Sequence, residues 1–204
     1  MRLGGQHNAK SIMVTVDFHE IEQLQHTDQW DKAGLILADA ALKLEHSGAH
    51  FIVLCTNTMH KVVPLIQSAI QIPILHIADA TAQQIVRRGL TRIGLLGTRF
   101  TMEQDFYKSI LVQKYGLEVL IPDLPQRELI HRVIFDELCQ GVIREDSRAA
   151  YAEIIRELED QGAEGVILGC TEITLLVKPE DSRIPQFDTT VIHVERAIEL
   201  ALTQ

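Results

Sequence analysis

Two short stretches of this 204-residue chain hold the side chains best suited to bond-breaking chemistry: Cys55-Thr56-Asn57-Thr58 and Gly169-Cys170-Thr171-Glu172. A thiolate can serve as nucleophile or base, and at a strand end its pKa can be drawn below the ~8.5 of a free cysteine. Polar turns after each stretch offer backbone N–H groups that can hold a carboxylate or phosphate. The third cysteine, Cys139, reads as an inert buried hydrophobe. Three cysteines without C-x-x-C spacing form neither a fully paired disulfide framework nor a zinc or redox motif. Free thiols fit a reducing, cytoplasmic setting. His60 and His193 follow the two stretches and can be structural or acid–base groups. Glu172 either orients the Cys170 loop or is a solvated carboxylate. The other histidines lack metal spacing such as H-E-x-x-H.

The elements that must position these residues alternate along the chain. Strands are expected at Ser11–Val16, Phe51–Leu54, Ile74–His76, Ile93–Leu96, Glu118–Ile121 and Val166–Leu168. Helices are expected at Trp30–His46, Thr58–Ser68, Ala80–Arg88, Met102–Tyr115, Arg127–Gln140 and Ser147–Gln161, the last ending ahead of Gly162. Strands that alternate with helices imply an α/β fold with parallel sheets. Ligands then sit beyond the carboxyl ends of the strands, where both stretches fall.

The chain also repeats itself. Gly48-Ala49-His50-Phe51-Ile52-Val53-Leu54-Cys55-Thr56-Asn57-Thr58 matches Gly162-Ala163-Glu164-Gly165-Val166-Ile167-Leu168-Gly169-Cys170-Thr171-Glu172, and each copy runs on to an Ile-Pro step, Ile72-Pro73 and Ile184-Pro185. A short strand is expected after each step. Two pseudo-symmetric halves give this pattern; chance likeness of two βα units is the alternative. In that alignment Cys170 pairs with Thr56, and Cys55 pairs with Gly169. A one-residue shift along extended chain turns a side chain to the other face, so Thr56 is expected to face the crevice, with Cys55 the alternative. The repeat also gives the second half an opening strand and helix, Thr91–Thr98 and Thr101–Tyr115, that the first half lacks. By symmetry a first strand and helix, roughly thirty residues, is missing.

Val53-Leu54-Cys55-Thr56-Asn57-Thr58-Met59-His60 and Leu168-Gly169-Cys170-Thr171-Glu172-Ile173 resemble the paired signatures of aspartate/glutamate racemases. The resemblance covers nearly the whole chain, including Val16-Asp17-Phe18, Leu96-Gly97-Thr98 and Phe187-Asp188-Thr189, and is closest to broad-specificity members. It implies two similar lobes with a site between them, here residues 1–89 with a C-terminal helix 190–204, and residues 90–189. It implies a homodimer and a racemase without pyridoxal phosphate, metal or other cofactor. One group removes the α-proton of an amino acid and an opposed group returns one, while fixed donors stabilise the carbanion.

Residue by residue, the resemblance gives Asn57, Thr58 and Thr171 to the α-carboxylate, with Thr98 joining them. Gln25, in the loop before Trp30, falls where the family contacts the substrate side chain. Most members place cysteine immediately before Asn-Thr; this chain has Thr56 there. The expected mechanism is abstraction by Cys170 and donation by Thr56, with the two directions of turnover unequal. Acid-specific relatives often carry a lysine near the end of the helix Arg127–Gln140, where this chain reads Leu138-Cys139-Gln140-Gly141. A neutral or mixed substrate range is therefore expected beside aspartate and glutamate. Members begin with a strand and a Gly-Gly-Met-Ser-type loop, and this sequence starts after it, near Met1-Arg2-Leu3-Gly4-Gly5. An N-terminally truncated, inactive relative is one alternative; a related cysteine-based racemase or decarboxylase is another. A flavodoxin-like binding module fits the βα pattern but leaves the paired stretches unexplained.

Bulk properties narrow the remaining classes. A net charge of −9 and the absence of a Lys/Arg cluster argue against nucleic-acid binding. The longest apolar run is too short to span a bilayer, and no secretory signal precedes Ser11. The expected partner is a small amino-acid substrate.

Overall fold

In the computed structural model, residues 8–203 are described. The opening Met1-Arg2-Leu3-Gly4-Gly5, beside which the sequence sets its missing strand, lies outside them. By contacts the chain divides into two units, residues 1–54, 61–75 and 194–204, and residues 55–60 and 76–193. The lobes drawn from the sequence differ by residues 55–60, 76–89 and 190–193, which belong to the second unit.

The first unit carries helices α1 (Phe18–His26), α2 (Trp30–His46) and α3 (Val63–Ala69), and strands β1 (Ile52–Val53) and β2 (Ile74–Leu75), which pair in parallel. Asp17 caps α1 by accepting the His19 N–H at 3.0 Å. This helix was not expected, since only Ile21 and Gln25 of its residues are buried and its apolar stripe is thin. Thr58–Ser68 is not one helix: a 3-10 turn over Thr58–Val62 precedes α3. Pro64, which lacks an N–H and restricts the residue before it, sits in the first turn of α3. Gly34 of α2 lets α3 approach, because a Cβ there would lie 3.1 Å from Leu65.

Ser11–Val16 is not a strand. A strand needs a neighbour for its backbone groups, and none pairs with this segment among the described residues; Ile12 and Met13 are 51% and 84% exposed.

The second unit is built on a parallel sheet of β3 (Arg92–Gly97), β4 (Glu118–Leu120), β5 (Val166–Gly169) and β6 (Gln186–Asp188), in the order β4-β3-β5-β6. Its helices are α4 (Ile77–Arg87), α5 (Arg99–Glu103), α6 (Asp105–Ser109), α7 (Leu124–Asp136), α8 (Glu145–Asp160), α9 (Ile173–Leu176) and the start of α10 (Thr189–Leu202). Side chains alternate across the sheet. Ile93, Leu95 and Ile167 join Ile77, Ile85, Tyr107 and Leu111 on one face. Leu96, Val166 and Leu168 join Ile130, Ile134, Tyr151, Ile154 and Leu158 on the other. Burial on both faces explains why these strands read as continuous apolar runs.

Local signals set the helix ends. Asp123 and Gln126 form a reciprocal capping box at the start of α7. The expected helix Met102–Tyr115 is broken at Gln104, which is extended at ψ 156°, and Lys108 Nζ donates to the carbonyl of Glu103 left free there at 3.0 Å. The stretch then ends in a π turn, Ile110–Lys114. Gly162, at φ +96°, ends the turn after α8 in the left-handed region that favours glycine.

The strand order reverses between β3 and β5. From β3 the chain crosses to β4 on one side, and from β5 it crosses to β6 on the other. Such a reversal opens a crevice at the carboxyl ends of the two strands. Thr98 follows β3 and Cys170 follows β5.

Candidate active site

The crevice is bounded by close backbone approach. Gly97 and Gly169 are register partners at the ends of β3 and β5. A Cβ on Gly169 would lie 2.6 Å from the Leu96 carbonyl oxygen, and one on Gly97 would lie 2.9 Å from the Gly169 carbonyl. Only glycine fits there, so Cys170 is the first side chain that this strand can present at its end.

Two hydrogen-bonded chains tie the Thr56–His60 segment to those strand ends. Asn57 Nδ2 donates to Thr189 Oγ1 at 3.0 Å, and Thr189 Oγ1 donates to the Leu168 carbonyl at 2.9 Å. Asn57 Oδ1 is left buried without a hydrogen-bond partner. Thr58 Oγ1 lies 2.9 Å from Thr98 Oγ1 and 3.4 Å from Thr101 Oγ1, and the latter two are 3.2 Å apart. Thr98 also caps α5 by accepting the Thr101 N–H at 3.3 Å. All three hydroxyls are buried.

His60 fixes the backbone at Thr56. The Ile77 N–H donates to His60 Nε2 at 3.1 Å, so that nitrogen carries no proton. Nδ1 therefore carries it and donates to the Thr56 carbonyl at 2.7 Å. His60 lies 4.4 Å from the ring of His76 and 6.0 Å from that of His193. Burial lowers the His76 pKa to about 4, and its Nδ1 accepts the Ala78 N–H at 3.2 Å to cap α4.

Cys170 is half-buried, and its Sγ donates to Glu172 Oε2 at 2.9 Å. Its pKa is not drawn down as the sequence suggested. Burial pushes the thiol well above its ordinary value, and the Glu172 carboxylate pushes it further. Tyr151 is likewise raised by burial, and its hydroxyl donates to the Ile130 carbonyl at 3.1 Å.

Asn57 thus enters one hydrogen-bonded chain, and Thr58 and Thr98 enter the other. Thr56 and Thr171 are half-buried, whereas Cys55 is exposed. Gln25 belongs to the first unit and lies in the last turn of α1 rather than in a loop; it is buried. Thr101 and Thr189 were not anticipated as site residues. Thr101 had a signal in its position three residues after Thr98, the spacing of a hydroxyl cap. Thr189 was marked only as the end of Phe187-Asp188-Thr189, a stretch of the resemblance to which no site role was given. Among the described residues no three His, Cys, Asp or Glu side chains group as metal ligands, and no helix is long and apolar enough to cross a membrane.

A cysteine, buried hydroxyls and an oriented amide at the ends of β3 and β5 stand where α/β proteins of this topology bind small molecules. The sequence profile of the Asp/Glu/hydantoin racemase family matches residues 2–197, and the chain belongs to that family. It is 28% identical over 173 residues to the broad specificity amino-acid racemase RacX of Bacillus subtilis (strain 168), covering 85% of this chain and 72% of that protein. A solved structure from Yersinia pestis, assigned to the Asp/Glu racemases, superposes with a TM-score of 0.91 at 55% identity, covering 98% of this chain and 87% of that one. An aspartate racemase homologue from Pyrococcus horikoshii OT3 gives 0.79 at 38% identity, covering 94% and 83%.

Proposed function

We propose that this chain is an amino-acid racemase that works without pyridoxal phosphate, with Cys170 removing the α-proton and Thr56 returning one to the opposite face. The observation that carries this reading is the hydrogen-bonded network that joins the Thr56–His60 segment to the ends of β3 and β5, where Cys170 begins. Residues far apart in sequence are hydrogen-bonded together at these strand ends, which supports positioned acid–base chemistry. Family membership supplies the reaction class.

The roles follow from the chemistry of each group. A threonine hydroxyl is too weak an acid to hold a charge near neutral pH, so Thr56 can give a proton to a carbanion but is a poor base. Cys170 is the motif side chain that stands first at the end of β5, and its thiol can cycle a proton. Turnover is therefore faster in the direction that starts at the Cys170 face. The hydroxyls of Thr58, Thr98 and Thr171 serve as donors to the α-carboxylate, whose charge grows as the proton leaves. Asn57 contributes through its own hydrogen bond to Thr189. Gln25 contacts the substrate side chain. Substrates are aspartate, glutamate or a broader set that includes neutral amino acids. The enzyme acts as a homodimer in the cytoplasm.

The test is incubation of the purified chain with single L-amino acids in deuterium oxide, without pyridoxal phosphate. α-Deuteration of one or more acidic or neutral amino acids is expected. No deuteration across the whole panel overturns the reading.

A further inference from the structure

The second unit holds a groove of about 650 Å³ along β6, within the roughly 300–1,000 Å³ range of small-molecule pockets. Leu168, Val177 and Ile184 give it an apolar wall, and Arg88, Lys178 and Arg183 line it with a single carboxylate, Asp188. That carboxylate is already engaged: Asp188 Oδ1 accepts the Thr190 N–H at 2.8 Å and the Val191 N–H at 3.2 Å at the start of α10. Lys178 is engaged too, its Nζ donating to the Thr174 and Leu175 carbonyls at 3.0 and 2.8 Å. The two guanidinium groups are not. Arg92, Arg127, Arg148 and Arg156 each sit against a carboxylate, but Arg88 and Arg183 have no ion pair or hydrogen bond among the described residues. Arg88 is held instead over the Phe187 ring of β6, 5.1 Å from its centroid. In a chain of net charge −9 the groove is thus a local positive region that Asp188 offsets only in part. The open edge of β6 adds donors. Among the described strands β6 pairs only with β5, and the Val166 N–H donates to the Pro185 carbonyl at 2.9 Å. Pro185 and Phe187 therefore turn their backbone groups toward β5, and the N–H groups of Gln186 and Asp188 turn to the free edge.

We propose that this groove is a second binding site, separate from the racemase site, for a small polyanion: a molecule with at least two carboxylate or phosphate groups on a short carbon or phosphate skeleton. Arg88 and Arg183 each take one acidic group, because a guanidinium matches a carboxylate or phosphate with two parallel hydrogen bonds. The outward N–H groups of Gln186 and Asp188 add donors along the edge, and the apolar wall takes the skeleton between the acidic groups. The proposal does not depend on the racemase reading, since neither arginine takes part in the proton transfers assigned to Cys170 and Thr56.

The probes are citrate and inorganic pyrophosphate, titrated separately into the full chain by isothermal calorimetry, with chloride holding the ionic strength constant. Saturable binding of one molecule per chain is expected for at least one probe; citrate alone identifies a carboxylate ligand and pyrophosphate alone a phosphate ligand. The double variant Arg88→Gln/Arg183→Gln is expected to weaken that binding about tenfold or more. Arg87→Gln is the control, because Arg87 is the exposed neighbour of Arg88 and does not line the groove, yet its loss changes the net charge alike. It is expected to leave the affinity unchanged. Both groove arginines are exposed, so their variants should fold, as circular dichroism will check; should the double variant not fold, Arg183→Gln alone, in the loop before β6, decides by the same loss of affinity. Absence of saturable binding by either probe overturns the proposal. Affinity retained in the groove variant overturns it too, since the probe then sits elsewhere, the racemase site included. An equal loss in Arg87→Gln overturns it as well, by showing attraction to net charge alone.

Discussion

Thr189→Val tests how the two motif segments are held together. Thr189 is fully buried, and its hydroxyl both donates to the Leu168 carbonyl at 2.9 Å and accepts from Asn57 Nδ2 at 3.0 Å. Valine has nearly the same shape, so packing is kept and the hydroxyl alone is lost. A buried polar group left without its partner costs about 1–3 kcal/mol. Asn57 loses the hydrogen-bond acceptor of its amide nitrogen, while the Leu168 carbonyl loses one of the two hydrogen bonds it can accept. The expected destabilisation is about 2–3 kcal/mol, which for a chain of this size lowers Tm by roughly 5–10 °C. The neighbouring Thr190 provides the control. Its Oγ1 is buried with no hydrogen-bond partner, so Thr190→Val should leave Tm unchanged or raise it. Both variants are followed by thermal unfolding and by α-deuteration, and Thr189→Val is expected to lose activity as Asn57 comes loose. Equal Tm values for the two variants, or full activity in Thr189→Val, would refute the reasoning.

His60→Ala removes the donor that fixes the Thr56 carbonyl and the acceptor of the Ile77 N–H; kcat should fall about tenfold or more with KM nearly unchanged, measured by steady-state racemisation. An unchanged kcat would sever His60 from Thr56. Gly169→Ala forces a Cβ to within 2.6 Å of the Leu96 carbonyl oxygen, and overpacking against backbone should cost about 1–3 kcal/mol by urea unfolding. His76 has a folded pKa of about 4 against its ordinary 6.5 because burial disfavours the charged ring. The unfolded chain then binds more protons between those values, so the contribution is fully present above about pH 6.5 and is lost as pH falls toward 4, up to about 3 kcal/mol. Urea midpoints of His76→Asn, which keeps a side-chain cap for α4, should depend less on pH over that window than those of the unsubstituted chain.

What could be read from the sequence was what depends on short-range pattern. The strands near 93 and 166 announce themselves because burial on both faces leaves uninterrupted apolar runs, and those near 52, 74 and 118 show as shorter apolar runs although they are only partly buried. The repeat marks Cys170 and Thr56 as equivalent and Cys55 as the partner of Gly169, and the clash of any Cβ at Gly169 gives that position a physical reason in one copy. Ser11–Val16 reads as a short apolar run like the other strands but has no pairing partner among the described residues, a tertiary fact that local pattern does not carry. The α1 helix and the buried place of Gln25 were missed because two buried residues in nine leave little signal. The bridging role of Thr189 was missed for another reason: its partners Asn57 and Leu168 are 132 and 21 residues away. The raised pKa of Cys170 was also beyond the sequence, since a Gly-Cys-Thr-Glu turn says neither how far the thiol is buried nor whether its glutamate points at solvent or at sulfur.

The division of labour between Cys170 and Thr56 is tested most directly by comparing deuterium uptake with inversion in deuterium oxide, starting from the enantiomer whose α-proton faces Cys170. Without Thr56 the carbanion can be reprotonated only from the side it came from. Thr56→Ala should therefore incorporate α-deuterium with retained configuration while inversion is lost, and Cys170→Ser should lose both. Cys55→Ala should keep both. Unchanged inversion in Thr56→Ala together with loss in Cys55→Ala would contradict the account.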